Sequence, residues 1–124
     1  MKFKAASGDG VLNGVIDVSL SKTMSSYQSD VEIRNEALSL IPRGADHTFT
    51  ILVLPDSSRR ILSGAKAWFP GKVSWYRDLF GSDPTYLLHE LGHNLGHDHS
   101  GNGQYQLGDP TCTMGVSSLH SFNI

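Results

Sequence analysis

The chain is poor in cysteine. Its 124 residues include one, Cys112, so no internal disulfide can form. That leaves the compartment open, because a disulfide framework argues for secretion while its absence argues for nothing. Long hydrophobic runs are also missing. No stretch approaches the ~20 apolar residues of a membrane span, and the basic start Met1-Lys2-Phe3-Lys4 lacks the apolar segment of a signal peptide. Neither sign of charge dominates. Ten Lys and Arg against twelve Asp and Glu leave a formal net charge of −2, which gives no reason to expect nucleic acid or an anionic membrane as partner. Internal repeats and low-complexity segments are absent. What remains, 39% apolar and 18% charged residues, fits one ordinary globular domain over residues 1–124 with a modest core.

Histidine, by contrast, is plentiful: there are six, and they concentrate in His89-Glu90-Leu91-Gly92-His93-Asn94-Leu95-Gly96-His97-Asp98-His99. Two histidines four apart on a helix lie about one turn apart on one face, so His89 and His93 can reach one metal ion. Gly96 lets the chain leave the helix with positive φ at no steric cost and return with His99. Three imidazoles and an open position describe a catalytic zinc site, since a structural site is closed by four protein ligands. Glu90 adjoins the first ligand and can lean over the open position. On chemistry alone His97 competes with His99, whereas His47 and His120 stand apart and read as surface or structural residues.

The fixed positions of this string, with Met114 downstream, are identified as the metzincin zinc-protease signature. That resemblance implies a small α+β domain with a twisted mixed β-sheet, a backing helix and an active-site helix. It assigns His89, His93 and His99, rather than His97, to one Zn2+, and makes Met114 the Met-turn, an apolar floor under the ligands without contact to the metal. The details are most similar to the gametolysin family, secreted metzincins that include algal cell-wall lytic enzymes. Val53-Leu54-Pro55, the helix string ending in His99-Ser100, and Gly108-Asp109 shortly before Met114-Gly115 carry this likeness, with Phe122-Asn123 following. Matrix metalloproteinases come second, and Ser100 suits both. The short Pro55–Ser63 loop lacks their His- and Asp-rich insertion, so neither a second zinc nor their calcium is expected. Val116 stands where other families carry a tyrosine ligand, so no fifth protein ligand is assigned. The likeness covers residues 48 to 124. It implies secretion, loss of a signal and pro-segment, and a minimal or C-terminally truncated domain.

The rest of the chain supplies the scaffold. Lys2 to Ala6 reads as a short strand, Ser7-Gly8-Asp9-Gly10 as a turn, and Val11 to Leu20 as strand with a break near Asn13-Gly14. Asp9 and Asp17 match no EF-hand spacing. A helix lies between Ser21 and Leu40, started by Ser21 or by the capping box Ser29/Glu32 and ended by Pro42. Tyr27, Val31, Ala37, Leu38 and Ile41 form its apolar stripe, with Arg34, Asn35 and Glu36 facing away or bordering it. Thr48 to Leu54 reads as a strand covered on both faces, and Ser57 to Arg60 as a polar loop. Ala65 to Phe69 and Lys72 to Tyr76 read as two strands about Pro70-Gly71, with Trp68, Phe69, Trp75 and Tyr76 supplying apolar area. Asp83 and Pro84 suit the N-cap and first position of the histidine helix, whose Leu88, Leu91 and Leu95 form a face to bury under the zinc. Gly92 costs helix stability, and close approach of the backing helix would explain it.

The expected function is zinc-dependent hydrolysis of peptide bonds in extended polypeptides by a monomer. Zinc would lower the pKa of its water to about 7, and Glu90 would take that proton and later deliver it to the leaving amine. The run Gly64, Ala65, Lys66 and Ala67 resembles the upper-rim strand of matrix metalloproteinases, which pairs with the substrate backbone; strand addition at an exposed edge is the physical basis, and an ordinary hairpin is the competing reading. A zinc-containing binding or adhesion module on the same fold is the alternative function. Asp109 is either an acceptor for an imidazole N–H or a turn residue before Pro110. Cys112 reads as a small hydrophobe. Substrate identity is not legible.

Overall fold

The computed structural model describes residues 2–6, 15–41 and 49–115. The turn at 7–10, the strand start at 11–14, Pro42, His47, Val116, His120 and Phe122-Asn123 lie outside them. The elements run β1 (Lys2–Ala6), β2 (Val15–Ser19), α1 (Asp30–Leu40), β3 (Thr50–Leu54), β4 (Ala65–Ala67), β5 (Val73–Arg77) and α2 (Pro84–Asn94), with short 3-10 turns at Met24–Ser26, Asp56–Arg60 and Asp78–Ser82. This is a small α+β domain with two helices and a mixed sheet. At the heart of the sheet β3 pairs parallel with β5, and β5 antiparallel with β4. β1 joins the other side of β3 and β2 follows, giving the order β2-β1-β3-β5-β4. β4 is therefore an edge strand.

Helix α1 starts at the capping box. Ser29 Oγ accepts from the Glu32 amide, which satisfies one of the donors a helix start leaves open. The buried face of α1 differs from the expected stripe. Ile33 and Ala37, four apart, are fully buried with Tyr27, while Val31 is 43% exposed. Two residues along a helix turn the side chain by about 200°, so once Ile33 meets the sheet Val31 must face out. Ile33 and Ala37 share one buried cluster with Leu52, Leu54, Val73 and Trp75, so α1 covers that face of the sheet.

On β3, Thr50, Leu52 and Leu54 are buried while Ile51 and Val53 are only partly covered, so one face is sealed and the other is shared with Gly81. The expected polar loop at 57–60 is instead part of a 3-10 turn. Its Ser58 is fully buried, and Arg60 donates to the carbonyls of Tyr27 and Ser25. The two strands about Pro70-Gly71 are present, but β4 stops at Ala67. Trp75 and Tyr76 are buried, whereas Trp68 and Phe69 beyond the strand end are largely exposed. Among the described residues no helix is long and apolar enough to cross a membrane.

Candidate metal centre

Helix α2 carries the histidines, and both of its ends are fixed by short-range chemistry. Asp83 caps the start by accepting from the Thr85 amide at 2.9 Å, with Pro84 in the first turn. At the other end the Gly96 amide donates to the His93 carbonyl at 3.0 Å and the His97 amide to the Gly92 carbonyl at 2.9 Å. This paired closure needs a left-handed residue between them, and Gly96 supplies it with φ 89°. The reversal brings His99 back beside the helix.

His89, His93 and His99 converge. One nitrogen from each lies within 4.8 Å of the others, and His93 Nε2 is 3.1 Å from His99 Nε2. Nitrogens on a tetrahedral zinc at ~2.05 Å stand about 3.3 Å apart, so this pair is close to ligand spacing. The free ring nitrogens are also committed. His89 Nδ1 lies 2.7 Å from the Thr113 carbonyl and His93 Nδ1 2.9 Å from the His97 carbonyl. A carbonyl only accepts, so each Nδ1 is the donor, and the tautomer this selects for the neutral ring leaves the Nε2 lone pair facing its neighbours. Burial pushes the His89 pKa down, repulsion from His93 and His99 adds to this, and the Thr113 bond opposes it. Neutral imidazoles with orientated lone pairs are the chemistry a zinc ion requires, so the donor set fits a metal. His97 is exposed and takes part through its carbonyl, not its ring.

Met114 is buried. A β-carbon placed on Gly92 would overlap Met114 Sδ. The need for glycine thus comes from the methionine, and not from α1 as expected. The leucine stripe of α2 is only partly covered. Leu95 is 60% exposed and Leu88 and Leu91 are half-buried, while Glu90 and Asn94 on one side of the stripe and Gly92 on the other are buried. The small residue admits Met114, and the Asn94 side chain reaches main-chain partners of its own.

Glu90 is 6% exposed, and burial pushes its carboxyl up to about 7. Nearby, the Tyr76 hydroxyl is pushed up to about 12 by burial, with the Glu90 charge acting the same way; it is bonded to Ser74 Oγ at 3.0 Å. A cleft of about 400 Å³ joins Glu90 to the three imidazoles and to Ala65, Lys66, Ala67 and Trp75. Three of the four expected rim residues thus share the cleft. Gly64 does not line it; it faces the Phe80 ring and gives its carbonyl to the Arg77 amide. The Lys66 ammonium is tied back to Asp30, at 3.1 Å.

Asn94 escaped the sequence reading. Its side-chain amide donates to the Trp68 and Val73 carbonyls at 2.9 and 3.0 Å, and its main-chain carbonyl accepts from the Gly71 amide. The last turn of α2 is thereby stitched to the turn between β4 and β5. A short amide next to a ligand histidine was the available signal. Asp109 resolves as a turn residue. It accepts from Thr111 and from Ser100 Oγ, and these bonds hold its carboxyl below the ordinary range. Cys112 is a free, partly buried thiol. Comparison with known proteins found no matching family model, curated protein or solved structure.

Proposed function

We propose that the protein is a zinc-dependent endopeptidase of the metzincin kind, most similar in its motifs to the secreted gametolysin family. The observation that carries this is the burial of Glu90 in the same cleft as three convergent imidazoles. A buried carboxylate with no task is costly, and this one adjoins the place a metal would fill. In this reading α1 is the backing helix and α2 the active-site helix.

His89, His93 and His99 would hold the ion, the first two through Nε2. A zinc ion bound there supplies Lewis acidity, polarising a carbonyl and making water acidic near neutral pH. Glu90 is the proton carrier. A carboxyl with pKa near the working pH can accept a proton from water and give it back to the departing amine. The Thr113 carbonyl orients the His89 ring and the His97 carbonyl the His93 ring, while Met114 packs against Gly92 of the same helix.

The peptide would lie along β4. In an antiparallel pair alternate residues turn both backbone groups to the partner. Gly64 and Trp68 bond across to β5, and Lys66 shares their phase opposite Trp75. The groups of Ala65 and Ala67 therefore point off the edge, where an extended chain can add as a further strand. Their methyl side chains leave room for it.

The test is cleavage of a mixed peptide library by zinc-loaded protein, with and without chelator, beside Glu90→Ala. Chelator-sensitive cleavage lost in Glu90→Ala supports the reading. A folded, zinc-loaded protein that cleaves nothing would overturn it in favour of a binding module, and cleavage surviving Glu90→Ala would remove Glu90 as base.

A further inference from the structure

Strand β4 is three residues long, lies at the sheet edge and has hydrogen bonds on one side only. Such edges fray and twist easily. Here the strand is gripped by two residues of α1 that lie one turn apart. Asp30, buried in the first turn of α1, accepts from Lys66 Nζ at 3.1 Å and from Trp75 Nε1 at 2.8 Å. Arg34 lies four residues on, its guanidinium 4.8 Å from the Trp75 ring and 5.0 Å from the Trp68 ring. The spacing i and i+4 on the helix thus matches the spacing i and i+2 from Lys66 to Trp68, with Trp75 of β5 shared between both grips.

We infer that Asp30 and Arg34 preset β4 as the receiving edge for a peptide, with Asp30 and Lys66 as its positioning pair. The kinetic consequence rests on the peptidase reading. Lys66 and Trp68 alternate with Ala65 and Ala67, so fixing the first two on α1 fixes the direction in which the free backbone groups of the other two point. Rotation of so short a strand would break both grips at once. Asn94 holds the following turn from the α2 side, so the edge is set from both helices before any substrate arrives. None of the gripping residues belongs to the histidine set, so the arrangement does not depend on metal. The Lys66 side chain is 51% exposed, and screening limits such a pair. Its loss should therefore shift the strand's behaviour without unfolding the chain.

The experiment compares zinc-loaded full-length wild type with Lys66→Met, Lys66→Arg and Asp30→Asn, the last keeping an acceptor for the Trp75 indole. Amide exchange is read at Trp68 and Arg77, whose N–H groups bond across β4 and β5, and KM and kcat are read on a cleaved peptide. Lys66→Met and Asp30→Asn should exchange about twofold to fivefold faster at both amides, with amides of α2 unchanged. KM should rise by a similar factor at constant kcat, the signature of lost positioning before the chemical step. Lys66→Arg should restore both. Unchanged exchange in the first two variants, failure of arginine to restore, or zinc affinity falling in parallel would overturn the inference. If wild type cleaves no peptide, the peptidase reading falls while the exchange comparison still decides whether the pair presets the edge.

Discussion

Met114 places its sulfur where Gly92 would otherwise carry a β-carbon. Two opposing effects act on Gly92→Ala. Alanine is the better helix former by about 1 kcal/mol, yet the overlap forces the sulfur aside, and such overpacking costs about 1–3 kcal/mol. The second effect prevails because Met114 is buried and its carbonyl is already bonded to the Ser100 amide. Gly92→Ala should lower the thermal midpoint and weaken zinc binding about tenfold, read by competition with a chelating dye. Adding Met114→Ala should recover part of the loss, since neighbours that clash are non-additive. A Gly92→Ala chain more stable than wild type would show that the sulfur moves freely.

Glu90→Gln keeps the size of the side chain and removes the base. Zinc affinity should stay within a factor of about three, because residue 90 is no ligand. The cleavage rate should fall by about a hundredfold to ten-thousandfold, the range a positioned general base supplies. Parallel zinc titrations and single-turnover cleavage check both halves. Loss of zinc binding together with rate would mean that Glu90 acts on the ligand set.

The local devices were legible in the residues. Ser29 and Asp83 as caps, Pro84 as helix start and Gly96 as the left-handed stop follow from chemistry within a few positions, as does the pairing of His89 with His93, whereas the choice of His99 over His97 came from the signature the string resembles. What could not be read was anything that a carbonyl does. The bonds from His89 to Thr113 and from His93 to His97 are made by main-chain oxygens, which every residue possesses. An apolar-stripe argument also over-rated Leu95 at the end of α2 and missed the burial of Glu90, Gly92 and Asn94 on either side of the stripe. It misjudged Val31 against Ile33 because two registers fit the pattern and only the sheet decides between them. The grip of Arg34 on two tryptophans needed the strand pairing, which no local spacing encodes.

Asn94→Ala would remove a side chain that serves two backbone carbonyls at once, those of Trp68 and Val73. Both would then lack this partner, while the main-chain bond from the Gly71 amide to the residue 94 carbonyl would remain. Each unmet group costs about 1–3 kcal/mol, offset where water enters, so a loss of about 2–4 kcal/mol is expected in urea denaturation. Asn94→Asp should be worse, since an ionised carboxylate would face the Trp68 and Val73 carbonyls with no proton to offer. Equal stability of the two variants would indicate that water already bridges this turn.

The pH dependence of stability should show itself at Tyr27 and Glu36, outside the histidine cluster. The Tyr27 hydroxyl donates to Glu36 at 2.7 Å, and the Ser21 amide donates to the same carboxylate. The Ser21 bond first and the Tyr27 bond second hold the Glu36 pKa below its ordinary 4.5. A carboxyl lowered on folding contributes stability that is full above its unfolded pKa and is lost as pH falls through the folded one. Tyr27 moves the other way: burial first, then Glu36, raises it above 10.0, so its contribution is present below that pH and is lost as the solution becomes more alkaline. Tyr27→Phe should cost about 0.5–1 kcal/mol at pH 7, a modest figure because Glu36 is half open to solvent. The penalty should shrink as pH falls through the lowered pKa of Glu36, and again above pH 10, where only the wild type has a hydroxyl to ionise. Urea denaturation of both proteins at pH 3, 5, 7 and 10.5 reads the difference directly. A constant offset at all four values would mean that the hydroxyl contributes packing alone and has no electrostatic link to Glu36.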